Sequence, residues 1–257
     1  MKLQHARVWL TGASSGIGEA LVPRLLEAGA RLALTARRAD VLEGTAAAWR
    51  ARGRDVMAAP ADVSDRQAVH AAAHLVEEAW GGIDLAIFNA GFSKRIRVTE
   101  FNAQDFVDLY RVNVFGVMFG VEAVLPGMLR RGSGRIAAVG SLAGLRGAPT
   151  LIGYGSSKAA IIHAIDSLRF DLAPYGIGVT LINPGYVRTP LTAKNTYWMP
   201  RLTDADEAAA IIVRGLQHDR KEIHFPALFS RTLKLLRALP FPIYERIVAA
   251  AVKRGAR

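Results

Sequence analysis

Strand-forming and helix-forming stretches alternate along most of the chain, and this alternation constrains the fold more than any other feature. Residues 8–11 read as a strand and 16–29 as a helix. A strand over 31–35 precedes an alanine-rich helix over about 39–52, and a strand over 55–59 precedes a helix that Ser64 would cap and that reaches Trp80. A buried strand over 83–88 leads to a long helical stretch over about 103–131, interrupted by Gly116 and Gly120. Gly132-Ser133-Gly134 breaks it before a strand over 135–139. A helix over 154–175, a strand over 177–182, a helix over about 203–217 and a short strand over 223–225 follow. Strands separated by helices of this length imply βαβ units and a parallel sheet covered on both faces. Right-handed crossovers make that sheet doubly wound. Periodicity fails over 189–200, and no linker or repeat divides the chain before it.

The chain has 257 residues, enough to bury a large core within one α/β domain. We read 1–257 as that domain, with a core over about 5–225 and an apolar-basic helical extension over about 227–257 divided by Pro240 and Pro242. Apolar residues make up 51% and charged residues 21%, the balance of a soluble globular protein. No apolar run approaches the ~18 residues that span a bilayer. The first residues carry no secretory segment. With no cysteine, disulfides and thiolate metal sites are excluded. A cytoplasmic location is expected. Of the net charge of +11, residues 231–257 carry +6, from seven Lys/Arg and the single acid Glu245. The basicity is concentrated in a tail, not interleaved with aromatics along a surface, so nucleic acid is not an expected partner.

Two motifs carry chemistry. The turn Thr11-Gly12-Ala13-Ser14-Ser15-Gly16-Ile17-Gly18 joins the first strand to the first helix. Glycines permit a tight turn and close approach of a ligand, and free amides at a helix N-terminus favour a pyrophosphate. The spacing is G-x-x-x-G-x-G, unlike the general G-x-G-x-x-G fingerprint. The second strand ends in Thr35-Ala36-Arg37-Arg38. An acid there would accept from the ribose hydroxyls of NAD, whereas arginine pairs with the 2′-phosphate of NADP. With no acid before Asp40, NADP(H) is favoured over NAD(H).

The second motif is Tyr154-Gly155-Ser156-Ser157-Lys158, with Ser141 thirteen residues before the tyrosine. Tyr and Lys at i,i+4 share a helix face, and an ammonium beside a phenol favours the phenolate. Alone, such a pair is common on helix surfaces. His70 and His74 share the same spacing, but with no third ligand they read as a solvated face.

In combination these motifs resemble a classical short-chain dehydrogenase/reductase over about residues 5–225. They run in the family's order: the Gly-rich turn, Asp62-Val63, Asn89-Ala90-Gly91, Asn113, Ser141, Tyr154, Lys158, then Pro184-Gly185 with Val187 and Thr189. The resemblance implies a single-domain, Rossmann-like doubly wound sheet. It implies that Gly12, Ser14, Ser15, Gly16, Ile17 and Gly18 hold the pyrophosphate and that Asp62 and Val63 meet the adenine. Asn89, Ala90 and Gly91 would line the adenosine ribose. Pro184, Gly185, Val187 and Thr189 would meet the nicotinamide carboxamide. Ser141 would bind the substrate oxygen, Tyr154 would exchange its proton, Lys158 would lower the tyrosine pKa and bond the nicotinamide ribose, and Asn113 would hold a proton-relay water.

Two positions depart from the family: Phe88 stands where Asn is common, and Ser15 where NADP-dependent relatives often have a basic residue. The implied activity interconverts a small-molecule carbonyl and a secondary alcohol. A catalytically silent dinucleotide-binding scaffold is the alternative. A mostly apolar pocket is expected from Phe92, Leu142, Leu145, Tyr186, Leu191, Tyr197, Trp198 and Met199. The family implies a homo-oligomer, a dimer or tetramer, paired through 103–131 and 154–175. The basic extension is expected to pack as an amphipathic helix in preference to anchoring at a membrane.

Overall fold

The computed structural model describes residues 1–193, 195 and 199–255, the last five as helix backbone. In chain order the elements are β1 (Arg7–Thr11), α1 (Gly16–Glu27), β2 (Arg31–Thr35), α2 (Ala39–Arg50), β3 (Val56–Ala58), α3 (Arg66–Trp80) and β4 (Leu85–Phe88). Then come α4 (Ala103–Tyr110), a π turn (Arg111–Phe115), α5 (Gly116–Arg131), β5 (Gly134–Val139), a 3-10 turn (Leu142–Gly144), α6 (Ile152–Leu172) and β6 (Ile177–Pro184). The chain closes with β7 (Val187–Arg188), α7 (Pro190–Ala193), β8 (Thr203–Asp204), α8 (Ala205–Gln217), β9 (Glu222–Phe225), α9 (Ala227–Ala238) and α10 (Phe241–Gly255).

Seven parallel strands form one sheet in the order β3-β2-β1-β4-β5-β6-β9. Successive residues alternate between its two faces. Val8 and Leu10 of β1 join the layer under α1, α2 and α8, with Leu25, Leu42 and Ile212. Trp9 joins the layer under α3, α5 and α6, with Val76, Val124 and Ile165. Register aligns the strand ends: Thr11 lies opposite both Thr35 and Phe88, Phe88 opposite Ala138, and Val139 opposite Ile182. Every motif that follows a strand therefore emerges on one edge of the sheet. The strand order reverses between β1 and β4, and the crevice at that reversal is where doubly wound sheets bind ligands.

Several expectations are corrected. Asp65, not Ser64, caps α3; its carboxylate accepts from the Gln67 and Ala68 amides at 2.8 and 3.2 Å. Ser64 instead donates its hydroxyl and amide to Asp62 Oδ1, at 2.8 and 2.9 Å. The stretch 103–131 is interrupted not at its glycines but at the π turn 111–115. Gly120 is a packing position: a Cβ there would lie 2.3 Å from the Phe88 ring. Phe88 uses that space and meets Trp9 edge-on, with ring centroids 5.9 Å apart. By length and apolar content Ala103–Arg131 could cross a bilayer, contrary to the sequence reading. Its residues Val117, Val121, Val124 and Met128 are instead buried in the core.

The extension forms two helices. The inner side of α9 packs inward: Phe229 and Leu233 join the core layer that holds Leu142 and Leu145. The Phe229 ring lies 6.2 Å from that of Tyr186. Arg146 clasps the helix end, donating to the carbonyls of Leu236, Arg237 and Leu239 at 2.8, 3.1 and 2.7 Å. Its guanidinium also lies 4.0 Å from the Tyr244 ring centroid, and the Tyr244 hydroxyl donates to the Gly147 carbonyl at 2.8 Å.

Candidate active site

The Gly-rich turn crosses from β1 to α1 in a space that admits no side chains. Gly12 has φ +69, and a Cβ on it would lie 2.8 Å from the Ala90 Cα. A Cβ on Gly18 would lie 2.0 Å from the Gly12 carbonyl oxygen. Neighbouring strands lock the turn in place. Thr11 Oγ1 accepts from the Asn89 and Ala90 amides at 3.1 and 3.2 Å. The Asn89 amide group donates to the carbonyls of Thr11 and Gly12, both at 3.2 Å. Ser15 is the N-cap of α1 but makes no side-chain cap, so the first-turn amides have no capping oxygen from it. A bare backbone cradle before uncapped helix amides fits a pyrophosphate.

The other cofactor candidates gather around this turn. Thr189 lies over it, since a Cβ on Gly16 would come within 3.1 Å of the Thr189 methyl. Gly185 donates its amide to the Phe225 carbonyl at 2.8 Å, and Val187 is buried. Pro184 is the last residue of β6, inside the strand rather than beyond it. Arg38 donates to the Ser14 carbonyl at 2.5 Å, and Arg37 is exposed beside it. Asp62 and buried Val63 follow β3 at the same edge. Ile17 is half-buried and packs against the first core layer.

The catalytic candidates converge from three elements. Lys158 is 4% exposed; its ammonium donates to the Val139 carbonyl at 2.8 Å and lies 5.9 Å from the Tyr154 ring centroid. Burial lowers its pKa to about 8, because a low-dielectric surrounding penalises the cation. Ser141 opens the 3-10 turn, and its hydroxyl oxygen accepts from the Ala143 amide at 3.1 Å. Its O–H proton is therefore directed elsewhere. That turn packs on α6, where a Cβ on Gly144 would lie 2.6 Å from the Lys158 carbonyl carbon.

Asn113 sits in the π turn with no exposed surface. Its Oδ1 accepts from the Phe92 amide, and its Nδ2 donates to the Phe92 carbonyl and to Ser157 Oγ, all at 3.0 Å. Ser157 in turn donates to the Tyr154 carbonyl at 2.8 Å. Both Asn113 Oδ1 and Lys158 Nζ approach Gly91, at 3.0 and 3.4 Å from where its Cβ would stand. The amide thus ties the loop after β4 to the helix carrying Tyr154 and Lys158.

Three contributors escape a reading of the sequence: the Thr11 hydroxyl, the Val139 carbonyl and Ser157. Ser157 lies within the Tyr-x-x-x-Lys run, but its inward direction emerges only once Asn113 is placed. Among the pocket candidates, Leu142 and Leu145 are buried in the core, while Phe92, Tyr186 and Met199 are half-buried and Leu191 is exposed. Tyr197 and Trp198 lie outside the described residues. His70 and His74 face carboxylates, those of Glu122 at 2.9 Å and Glu78 at 3.3 Å.

The short chain dehydrogenase family model matches residues 6–200, the span that contains this whole arrangement. The chain belongs to the short-chain dehydrogenase family. It is 31% identical over 244 residues to an uncharacterized oxidoreductase of Myxococcus xanthus, covering 95% of this chain and 96% of that one. A short-chain dehydrogenase/reductase from Burkholderia phymatum, solved in complex with NAD, superposes with a TM-score of 0.83 at 26% identity, covering 91% of this chain and 94% of that one. A short chain dehydrogenase from Burkholderia cenocepacia, solved in complex with NADP, gives a TM-score of 0.77 at 30% identity, covering 87% of this chain and 97% of that one. The family membership makes this protein an oxidoreductase and accounts for the seven-stranded sheet.

Proposed function

We propose that this short-chain dehydrogenase interconverts a carbonyl and a secondary alcohol with NADP(H), using Tyr154 as proton donor and acceptor. The carrying observation is Lys158: a lysine buried against the Val139 carbonyl, within reach of a tyrosine one helical turn away, is costly unless its charge is used. When bound, the nicotinamide supplies or receives the hydride. Gly12, Ser14, Ser15, Gly16, Ile17 and Gly18 would hold its pyrophosphate, Asp62 and Val63 the adenine, and Asn89, Ala90 and Gly91 the ribose next to it. Pro184, Gly185, Val187 and Thr189 would orient the carboxamide.

In the direction of reduction, the Ser141 hydroxyl donates a hydrogen bond to the substrate oxygen and fixes its position, keeping its own proton. Tyr154 delivers a proton to that oxygen. The Lys158 charge stabilises the phenolate left behind, and Asn113 holds the loop and helix that align them. In oxidation the phenolate takes the proton back.

NADP(H) is supported by Arg37 and Arg38 at the end of β2, where no acid stands, and by Arg38 lying on the Gly-rich turn. The substrate is read as an apolar small molecule, because Phe92, Tyr186 and Met199 are only half-buried and Leu191 is exposed, leaving apolar side chains open to a ligand. A silent dinucleotide-binding scaffold would not need Asn113, Ser141, Tyr154 and Lys158 together. A homo-oligomer paired through 103–131 and 154–175 is supported by exposed Phe115 in the first stretch and exposed Phe170 in the second.

A panel of ketones and secondary alcohols assayed with NADPH and with NADH tests the reading. Turnover is expected with NADPH, and the Arg37→Ala/Arg38→Ala protein should lose NADPH affinity far more than NADH affinity. Absence of turnover across the panel would support the scaffold, and equal losses for both cofactors would place the 2′-phosphate elsewhere.

A further inference from the structure

At the outer strand of the sheet, α8, β9 and α9 form a cleft of about 240 Å³. It is lined by Ile211, Arg214 and Gly215 of α8, Arg220 before β9, Ile223 and His224 of β9, and Ala227 and Arg231 of α9. Three arginines and a histidine thus line one small cleft, and no carboxylate does.

Five arginines elsewhere on this protein face carboxylates: Arg7 with Asp84, Arg24 with Asp206, Arg66 with Glu122, Arg135 with Asp219, Arg188 with Asp204. Among the described residues, the guanidinium groups of Arg214, Arg220 and Arg231 have no acceptor. The nearby acids are engaged elsewhere. Glu222 accepts from Lys234 at 2.7 Å and from Asn183 at 3.2 Å, and Asp219 accepts from the N-terminal ammonium at 2.6 Å and Arg135 at 2.5 Å.

Three exposed cations around one cleft create a positive field there that attracts an anion. His224 reports that field: burial, foremost, and then Lys234, Arg231 and Arg220 hold its imidazole below the ordinary range, outweighing Glu222. Its Nδ1–H donates to Ser230 Oγ at 2.5 Å, because that hydroxyl itself donates to the Ala227 carbonyl at 2.9 Å, so Nε2 offers the cleft a donor only when the ring is protonated.

We propose that this cleft is a binding site for a phosphate-bearing ligand, separate from the dinucleotide site. Guanidinium groups recognise phosphate through paired, charge-assisted hydrogen bonds, and a tetrahedral oxyanion uses donors arriving from several elements. The cleft volume accommodates a phosphomonoester group. The neighbouring outward side of α9 exposes Leu228 at 61% and Leu235 at 73%, which would lie beside the ligand if its phosphate belongs to a lipid headgroup.

The test uses the full-length protein. Inorganic phosphate is titrated by calorimetry at low ionic strength, and vesicles of phosphatidylcholine with and without phosphatidylglycerol are titrated by co-sedimentation. The Arg220→Ala/Arg231→Ala protein should bind at least about tenfold more weakly, the loss expected for charged hydrogen-bond donors. The Arg37→Ala/Arg38→Ala protein should retain the binding, which separates this cleft from the proposed dinucleotide site. An unchanged urea midpoint in the Arg220/Arg231 variant excludes misfolding, a control that does not depend on the proposed reaction. Saturable phosphate binding without vesicle binding identifies a soluble phosphate ligand; vesicle binding that needs phosphatidylglycerol and the same two arginines identifies a lipid headgroup. The proposal is overturned if neither probe binds, or if the Arg37/Arg38 variant loses the binding and the Arg220/Arg231 variant keeps it.

Discussion

The Gly-rich turn and the C-terminal helix pair are both held to the sheet, but by different means. At the turn, backbone touches backbone: Gly18 leaves no room before the Gly12 carbonyl, and a Cβ on Gly12 would lie 2.8 Å from the Ala90 Cα. At the helix pair, side chains reach across: Arg146 holds three carbonyls, and Tyr244 returns a hydrogen bond to the loop that follows Ser141. Backbone closure leaves a glycine signature in the sequence. Side-chain closure leaves only an arginine and a tyrosine, residues found on any surface. The first kind of closure tolerates no added atoms, and the second depends on atoms that a single truncation removes.

The largest expected effect lies between these two regions, where both must be correctly placed. Tyr154→Phe keeps the ring and removes the proposed proton donor, so turnover should fall by ~10²–10⁴ with cofactor affinity nearly intact. A variant that kept most of its kcat would remove Tyr154 from the chemistry.

Next is the pH dependence of stability. The folded-state pKa of Lys158 is about 8, below its ordinary 10.5, so between those values the unfolded chain binds more protons than the folded one. Stability from this group should rise with pH over that window, by a few kcal/mol at about 1.4 per unit, and should be lowest below it. Urea midpoints from pH 7 to 11 for the native protein and Lys158→Met would show it; parallel curves for the two would mean that the lysine is not buried as a cation.

Gly18→Ala attacks the backbone closure. A methyl group 2.0 Å from a carbonyl oxygen forces the turn open, at a cost of about 1–3 kcal/mol, and dinucleotide binding should weaken with it. An unchanged melting temperature together with unchanged dinucleotide affinity would show that the turn can yield freely.

Arg146→Ala attacks the side-chain closure and should be the mildest, about 1–2 kcal/mol, because the freed carbonyls can turn to water. Its signature is local: faster proteolysis near residue 240 and altered KM for bulky carbonyl compounds, with kcat for small ones preserved. If the C-terminal helices stay as protected as in the native protein, the clasp is dispensable and the Phe229 and Leu233 packing alone holds α9.

The sequence by itself determined the doubly wound sheet, the Gly-rich turn and the order of Ser141, Tyr154 and Lys158. These follow from local rules: apolar periodicity, the glycines a tight turn requires, and the i,i+4 geometry of one helix. It misplaced what depends on competition between neighbours. Asp65 took the cap expected of Ser64, because Asp62 engaged the serine first. The glycines of α5 read as breaks, yet Gly120 is the space into which Phe88 packs, and the irregular turn formed at Asn113 instead.

Only the tertiary structure decided that Lys158 is buried against Val139, that Asn113 is tied to Phe92 and Ser157, and that Arg146 grips a helix ninety residues downstream. It also placed Arg214, Arg220 and Arg231 around one cleft. Such contacts join residues far apart in the chain, and their energy depends on burial and on which partner is already engaged. A local pattern carries neither quantity, so those decisions fall to the folded molecule.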